Sequence, residues 1–247
     1  MLIFDIETGP LADEQLFEHF TFEAPPHPGE FNPASVKYGN TKDEAKRATK
    51  LEECRQAHAA AIENYERDAA AARDAAWLDF KGKAALSAIT GQVLAIGIRR
   101  GDKAGIFEGP EAEILAKFWK KYTACRAERA VMVGANIMEF DLPFLVQRSW
   151  ILKVDVPATV CEFGKWGNFD KLFVDIRQWW QMGKRDCPSS LDTMARSLGV
   201  GQKTDGIDGG DFARLWFGTP EEKQQARSYL LNDLLLTDAV AARLGVI

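Results

Sequence analysis

Apolar and polar positions alternate in different rhythms along the chain, and each rhythm marks a different kind of element. Leu2, Ile3, Phe4 and Ile6 make a short β-favouring run that stops at Thr8-Gly9-Pro10, which predicts a strand and then a turn. Pro10, Pro25, Pro26, Pro28 and Pro33 then break any regular element, so the following stretch reads as loop with a helical turn or two around 16–20. From 41 to 80 there is no glycine or proline and helix formers dominate; one helix over the whole stretch would be about 60 Å long. Leu51, Cys54, His58, Ile62, Tyr65, Ala69, Ala72 and Ala76 step along it by threes and fours in a narrow stripe, a seam that needs one partner surface.

Alternation of period two returns at 93–98, followed by a tight turn at Gly101-Asp102 and a returning strand over 104–107. With the first strand this predicts an antiparallel meander. Helical periodicity over 110–122 leads into an apolar run at 130–133, read as a fourth strand. Further helices are predicted over 140–150, over 190–198 with Gly199 as its stop, and over 219–244. Thr219-Pro220-Glu221-Glu222 opens the last one with an N-cap, a first-position proline and a capping-box glutamate.

Composition narrows the classes. A chain of 247 residues that is 46% hydrophobic can bury one full core, so residues 1–247 are expected to form one domain carrying a helical insertion at about 41–80. Neither a membrane-length apolar run nor a basic, apolar-cored leader is present, and a cytoplasmic location is the expectation. Cys54, Cys125, Cys161 and Cys187 are scattered without a Cys-x-x-Cys pair, which argues against a zinc site. His19, His27 and His58 are the only histidines, so hydrolytic chemistry here would run on carboxylates. A net charge of -5 argues against a broadly basic nucleic-acid surface and leaves room for a locally basic groove.

The carboxylates that stand out are Asp5 and Glu7. Side chains alternate across a strand, so both point to one face, about 6.5–7 Å apart along the backbone. Two like charges so placed need something positive between them, unless the strand is a solvent-facing edge. A third acid, Asp141, opens a helix after a strand in "VGANIMEFDLPFL", a position where an aspartate taken alone is commonly only a cap or a dipole partner. Tyr229 and Asp233 lie four apart on the last helix and share a face, beside inward-packing Leu230 and Leu234.

Taken in order, "FDIET", "NIMEFDLPFL" and "YLLND" resemble the motifs of the DEDD 3′-to-5′ exonucleases of the DnaQ/RNase H-like superfamily, in the tyrosine subclass. The histidine subclass would place its histidine five residues before the last aspartate, where this chain has Ser228. "SLDTMARSLGV" and "GIDGGDFARLW" also look like the stretches before the last motif in bacterial and phage exonucleases related to family B polymerase proofreading domains. The likeness spans the first strand and most of the chain from Val93 onward, but not the region between.

That resemblance implies an α/β fold: a mixed five-stranded sheet flanked by helices, three strands antiparallel and two parallel, with the long helix inserted between the first two. The fifth strand would fall near 171–176. It implies two divalent cations, Mg²⁺ or Mn²⁺, which suit an all-oxygen acidic site. Asp5 would bridge the ions, Glu7 and Asp233 would complete the site for the attacking water, and Asp141 would act through coordinated water. Tyr229 would orient the water by hydrogen bonding, since an ordinary phenol is a poor base at neutral pH. Thr8 and Asn136 are the candidates for holding the 3′-terminal nucleotide. Phe140 reads first as core and second as a neighbour of the terminal base. Phe163, Lys165, Trp166, Phe169 and Lys171 interleave aromatics with cations as a strand-gripping platform would, although so many aromatics also suit buried structure.

The implied activity is metal-dependent 3′-to-5′ hydrolysis of DNA at single-stranded or frayed ends. RNA is the alternative substrate, because discrimination rests on 2′-OH contacts. An idle binding or scaffold domain of the same fold is a third reading, against which the retention of all four acids and the tyrosine speaks. A protein partner, or self-association, would use the 41–80 helix.

Overall fold

A computed structural model describes residues 1–162, 168–184, 186–203 and 209–246. In chain order the elements are β1 (Leu2–Pro10), α1 (Asp13–Phe17), α2 (Glu44–Lys83), β2 (Gly91–Arg100), β3 (Lys103–Phe107), α3 (Glu111–Ala127), β4 (Met132–Gly134) and α4 (Asp141–Ile151). There follow β5 (Cys161–Glu162), β6 (Asn168–Phe169), β7 (Phe173–Asp175), α5 (Ile176–Gln181), α6 (Leu191–Leu198), α7 (Gly209–Trp216) and α8 (Pro220–Arg243). Five strands form one sheet in the order β3-β2-β1-β4-β7. β1–β2 and β2–β3 are antiparallel, whereas β1–β4 and β4–β7 are parallel. This is the mixed sheet expected from the sequence, with the long helix between its first two strands.

Strand alternation sorts β1 between two cores. Leu2, Phe4 and Ile6 pack with Ile114, Phe118 and Leu145, on the side of α3 and α4, while Ile3 packs with Leu234 and Val240 of α8. Each such apolar side chain contributes about 1.5–3 kcal/mol when buried. A slip of one residue would put all of them on the wrong face, so the register that sends Asp5 and Glu7 toward α8 is firmly held.

The strand runs farther than its turn signal indicated. β1 continues through Thr8, Gly9 and Pro10, with a bulge between Glu7 and Thr8 that shifts its pairing with β2. β4 accompanies it only at Leu2 and Ile3, so beyond the bulge β1 is bonded on one side, where proline is tolerated. The fifth strand is β7, shorter than predicted, because Asp175 caps α5 and turns the chain. α8 begins with the predicted capping box on Thr219 and Glu222.

The chain divides into two compact units, one of Met1–Leu16 with Lys83–Ile247 and the other of Phe17–Gly82. Within the second, the partner surface of the α2 stripe is its own preceding segment. Phe17 stacks on Trp77 at 4.1 Å, the Tyr65 hydroxyl donates to the Pro25 carbonyl at 2.7 Å, and His58 Nε2 donates to the Gly29 carbonyl at 3.2 Å. Among the described residues no helix is long and apolar enough to cross a membrane.

Candidate active site

Three carboxylates meet on the α8 face of the sheet. Asp5 lies opposite Gly97 of β2, and a Cβ at Gly97 would fall 2.9 Å from the Leu230 side chain and 3.0 Å from that of Leu234. Glycine there lets α8 settle against the strands, which carries Asp233 down to the acids of β1. One oxygen from each of Asp5, Glu7 and Asp233 lies within 4.8 Å of the other two. Glu7 and Asp233 are buried, and Asp233 Oδ1 has no hydrogen-bond partner among the described residues. Asp141, buried in the first turn of α4, stands beside this trio: its Oδ1 accepts the Ile6 amide at 3.2 Å. The cluster is an all-oxygen donor set with an orphaned buried oxygen, which fits a hard divalent cation such as Mg²⁺ or Mn²⁺.

The charges are mutually unfavourable. Burial, and then the Asp233 charge, push the Asp5 carboxyl up to about 7. Burial also raises Glu7 and Asp141 well above the carboxylate range, with Asp5 as the next cause in both, and burial raises Asp233. Each carboxyl therefore holds its proton to a higher pH in the folded chain than in the unfolded one. Their contribution to stability is complete below an unfolded value of about 4 and is lost as pH rises through the folded values. In EDTA the wild-type Tm should fall between pH 5 and pH 8, with a flatter profile for Asp5→Asn; Mg²⁺ or Mn²⁺ should raise it most at pH 8. A wild-type and variant profile of equal slope in thermal scans would show that these acids are not the source of the strain.

A cation supplied by the chain itself sits in the cluster. Lys203 Nζ donates to Asp233 Oδ2 at 2.5 Å and to the Tyr229 hydroxyl at 2.9 Å. It stays protonated: burial opposes its charge, but Asp233 and Tyr229 hold its pKa above the ordinary lysine value. Tyr229 is buried against Phe212, and burial followed by the Asp233 charge pushes its phenol up to about 12. Sequence reading missed Lys203, because a lone lysine beyond α6 shares no periodicity or spacing with the acidic motifs.

A family model described as the RNase H superfamily matches residues 85–237, more than half of the chain. The chain belongs to the RNase H superfamily. Asn136, Asp141, Lys203, Tyr229 and Asp233 lie inside the matched stretch, and Asp5 and Glu7 outside it; the sheet of this RNase H-like domain is what joins them. No match is found among curated proteins. Among solved structures the domain resembles a family B DNA polymerase from the hyperthermophilic archaeon Pyrobaculum calidifontis, at 20% identity and a TM-score of 0.52. The alignment covers 66% of this chain and 23% of the polymerase, so the likeness is one of fold over less than a quarter of that protein.

Beside Asp5 the RNase H-like domain has a cavity of about 520 Å³, lined by Asn136, Arg177, Ser189 and Lys203 among others. Of the predicted substrate contacts, Asn136 alone lines it. The Thr8 hydroxyl donates to the Ala85 carbonyl at 2.8 Å, and Phe140 packs on the main core with its ring 5.6 Å from that of Phe144. Phe169 and Lys171 line a separate cavity of about 540 Å³ with Trp179. Phe163, Lys165 and Trp166 lie outside the described residues.

Proposed function

We propose that this domain is a metal-dependent 3′-to-5′ exonuclease of the tyrosine DEDD subclass, acting on DNA at single-stranded or frayed 3′ ends. The observation that carries the reading is the meeting of Asp5, Glu7 and Asp233, from opposite ends of the chain, with Asp141 and Tyr229 alongside. The fold likeness to part of a family B DNA polymerase accords with it.

In this reading Asp5, Glu7, Asp141 and Asp233 hold two Mg²⁺ or Mn²⁺ ions. Bound there, such ions neutralise the phosphate and the leaving alkoxide and acidify water. Tyr229, its proton secure at neutral pH, orients the attacking water by a hydrogen bond. Lys203 keeps a fixed positive charge against Asp233 and steadies the tyrosine hydroxyl. Asn136 meets the terminal nucleotide in the cavity beside Asp5. In the same reading the helix over 41–80 is the surface that would take a protein partner or a second copy of the chain.

The test is the product ladder of a 5′-labelled oligonucleotide, run as DNA and as RNA, with Mg²⁺, Mn²⁺ or EDTA. Shortening by single nucleotides from the 3′ end, on DNA and only with metal, is expected. A ladder on RNA alone would reassign the substrate, and internal cuts or metal-independent cleavage would overturn the reading.

A further inference from the structure

Arg177, in the first turn of α5, has no part in the acidic motifs, yet it borders the cavity beside Asp5. Its Nε donates to Ser189 Oγ at 3.0 Å and its Nη1 to Asn136 Oδ1; a longer contact of 3.4 Å reaches the exposed Glu139. A guanidinium carries donors only, so the Asn136 atom that meets it must be the carbonyl oxygen. The amide orientation follows from that chemistry. The NH₂ group is the remaining end of a side chain that lines the cavity, and among the described residues it makes no hydrogen bond.

The backbone around Asn136 is braced by the same segment. Asn136 has φ 66°, in the left-handed region, where the turn between β4 and α4 needs support. The Asp175 carboxylate, itself buried, accepts the amides of Asn136 at 2.9 Å, Met138 at 3.0 Å and Arg177 at 2.9 Å. One carboxylate thus ties the turn to the start of α5. The guanidinium two residues later then fixes the side chain that the turn presents.

We infer that Arg177 is a positioning residue that captures the Asn136 carbonyl oxygen and so aims the Asn136 NH₂ group, as a donor, at an acceptor oxygen of the 3′-terminal nucleotide. This rests on the exonuclease reading for the identity of the ligand. It adds the residue that decides whether Asn136 offers donors or an acceptor. A freely turning amide would present either end to the anionic strand, and only one of them attracts it.

Asn136→Asp separates binding from structure. It keeps the oxygen that Arg177 grips, now as a charge-assisted contact, and replaces the donor by an anionic acceptor. The Tm should be unchanged or higher, whereas KM for a single-stranded oligodeoxynucleotide should rise about tenfold or more with kcat nearly constant. Fluorescence anisotropy of the same 5′-labelled oligonucleotide in EDTA, where metal-dependent cleavage is silent, should show the same loss. Arg177→Met should raise KM by a smaller factor, and Arg177→Lys should recover part of it. Wild-type binding and KM in Asn136→Asp, or in a folded Arg177→Met, would overturn the inference. Should the wild-type protein bind DNA without shortening it, the exonuclease reading fails while the anisotropy arm still decides the role of Arg177.

Discussion

Asp5→Asn is expected to lower the rate of hydrolysis by about 10³-fold or more while raising the Tm of the metal-free protein. The two effects have one cause. The Asp5 carboxyl is pushed up to about 7 by burial and by the facing Asp233, so at neutral pH its charge is held against the protein's interest. An amide of the same volume removes that repulsion and, with it, an anionic oxygen from the trio that fits a cation. Single-turnover hydrolysis in saturating Mg²⁺, beside thermal scans with and without the metal, measures both. A near-wild-type rate would exclude Asp5 from the metal site. Glu7→Gln should behave alike, because burial and the neighbouring acids raise its carboxyl too. Asp233→Asn should be equally inactive yet without the rise in Tm, since Lys203 would lose its anionic partner.

Tyr229→Phe is expected to reduce kcat by about 10²-fold, the cost of one positioned polar group, with KM nearly unchanged. The variant keeps the ring that packs near Phe212, and Lys203 keeps its contact with Asp233. Only the hydroxyl is lost. Because the wild-type phenol is pushed up to about 12, it is protonated throughout the range from pH 6 to 9 used for the assay. The pH profiles of kcat for wild type and variant should therefore run parallel over that range, displaced by a constant factor. Loss of a rising limb in the variant would make Tyr229 the proton acceptor instead. Equal rates at neutral pH would leave it a core residue and remove the tyrosine subclass.

How much of this was legible depends on the distance over which each feature is specified. β2, β3 and α8 were readable because period-two alternation, a Gly-Asp turn and a capping box each act within a few residues. The stripe of α2 was readable as a seam, but the segment that covers it was not: Pro25 and Gly29 meet Tyr65 and His58 through isolated contacts with no period. α5 escaped because six residues offer too few turns for a periodic signal, and α7 because it opens on Gly209-Gly210, which reads as a turn, whereas α6 of the same length is bracketed by Ser190 and Gly199. β1 outran its turn signal because pairing with β2 outweighed the local preference of Gly9 and Pro10.

At the site, the sequence by itself determined which acids exist, that Asp5 and Glu7 share a face of one strand, and that Tyr229 and Asp233 share a face of one helix. Those relations depend only on backbone period. The tertiary structure decided that the two faces are turned to each other, through the close approach that Gly97 permits beneath Leu230 and Leu234. It also decided that Lys203 enters the acidic cluster, and that Arg177 fixes the Asn136 amide from a different element. Contacts of this kind join residues tens of positions apart, and no local periodicity encodes them: they arise when packing brings the elements together, and burial then makes each charge require a partner.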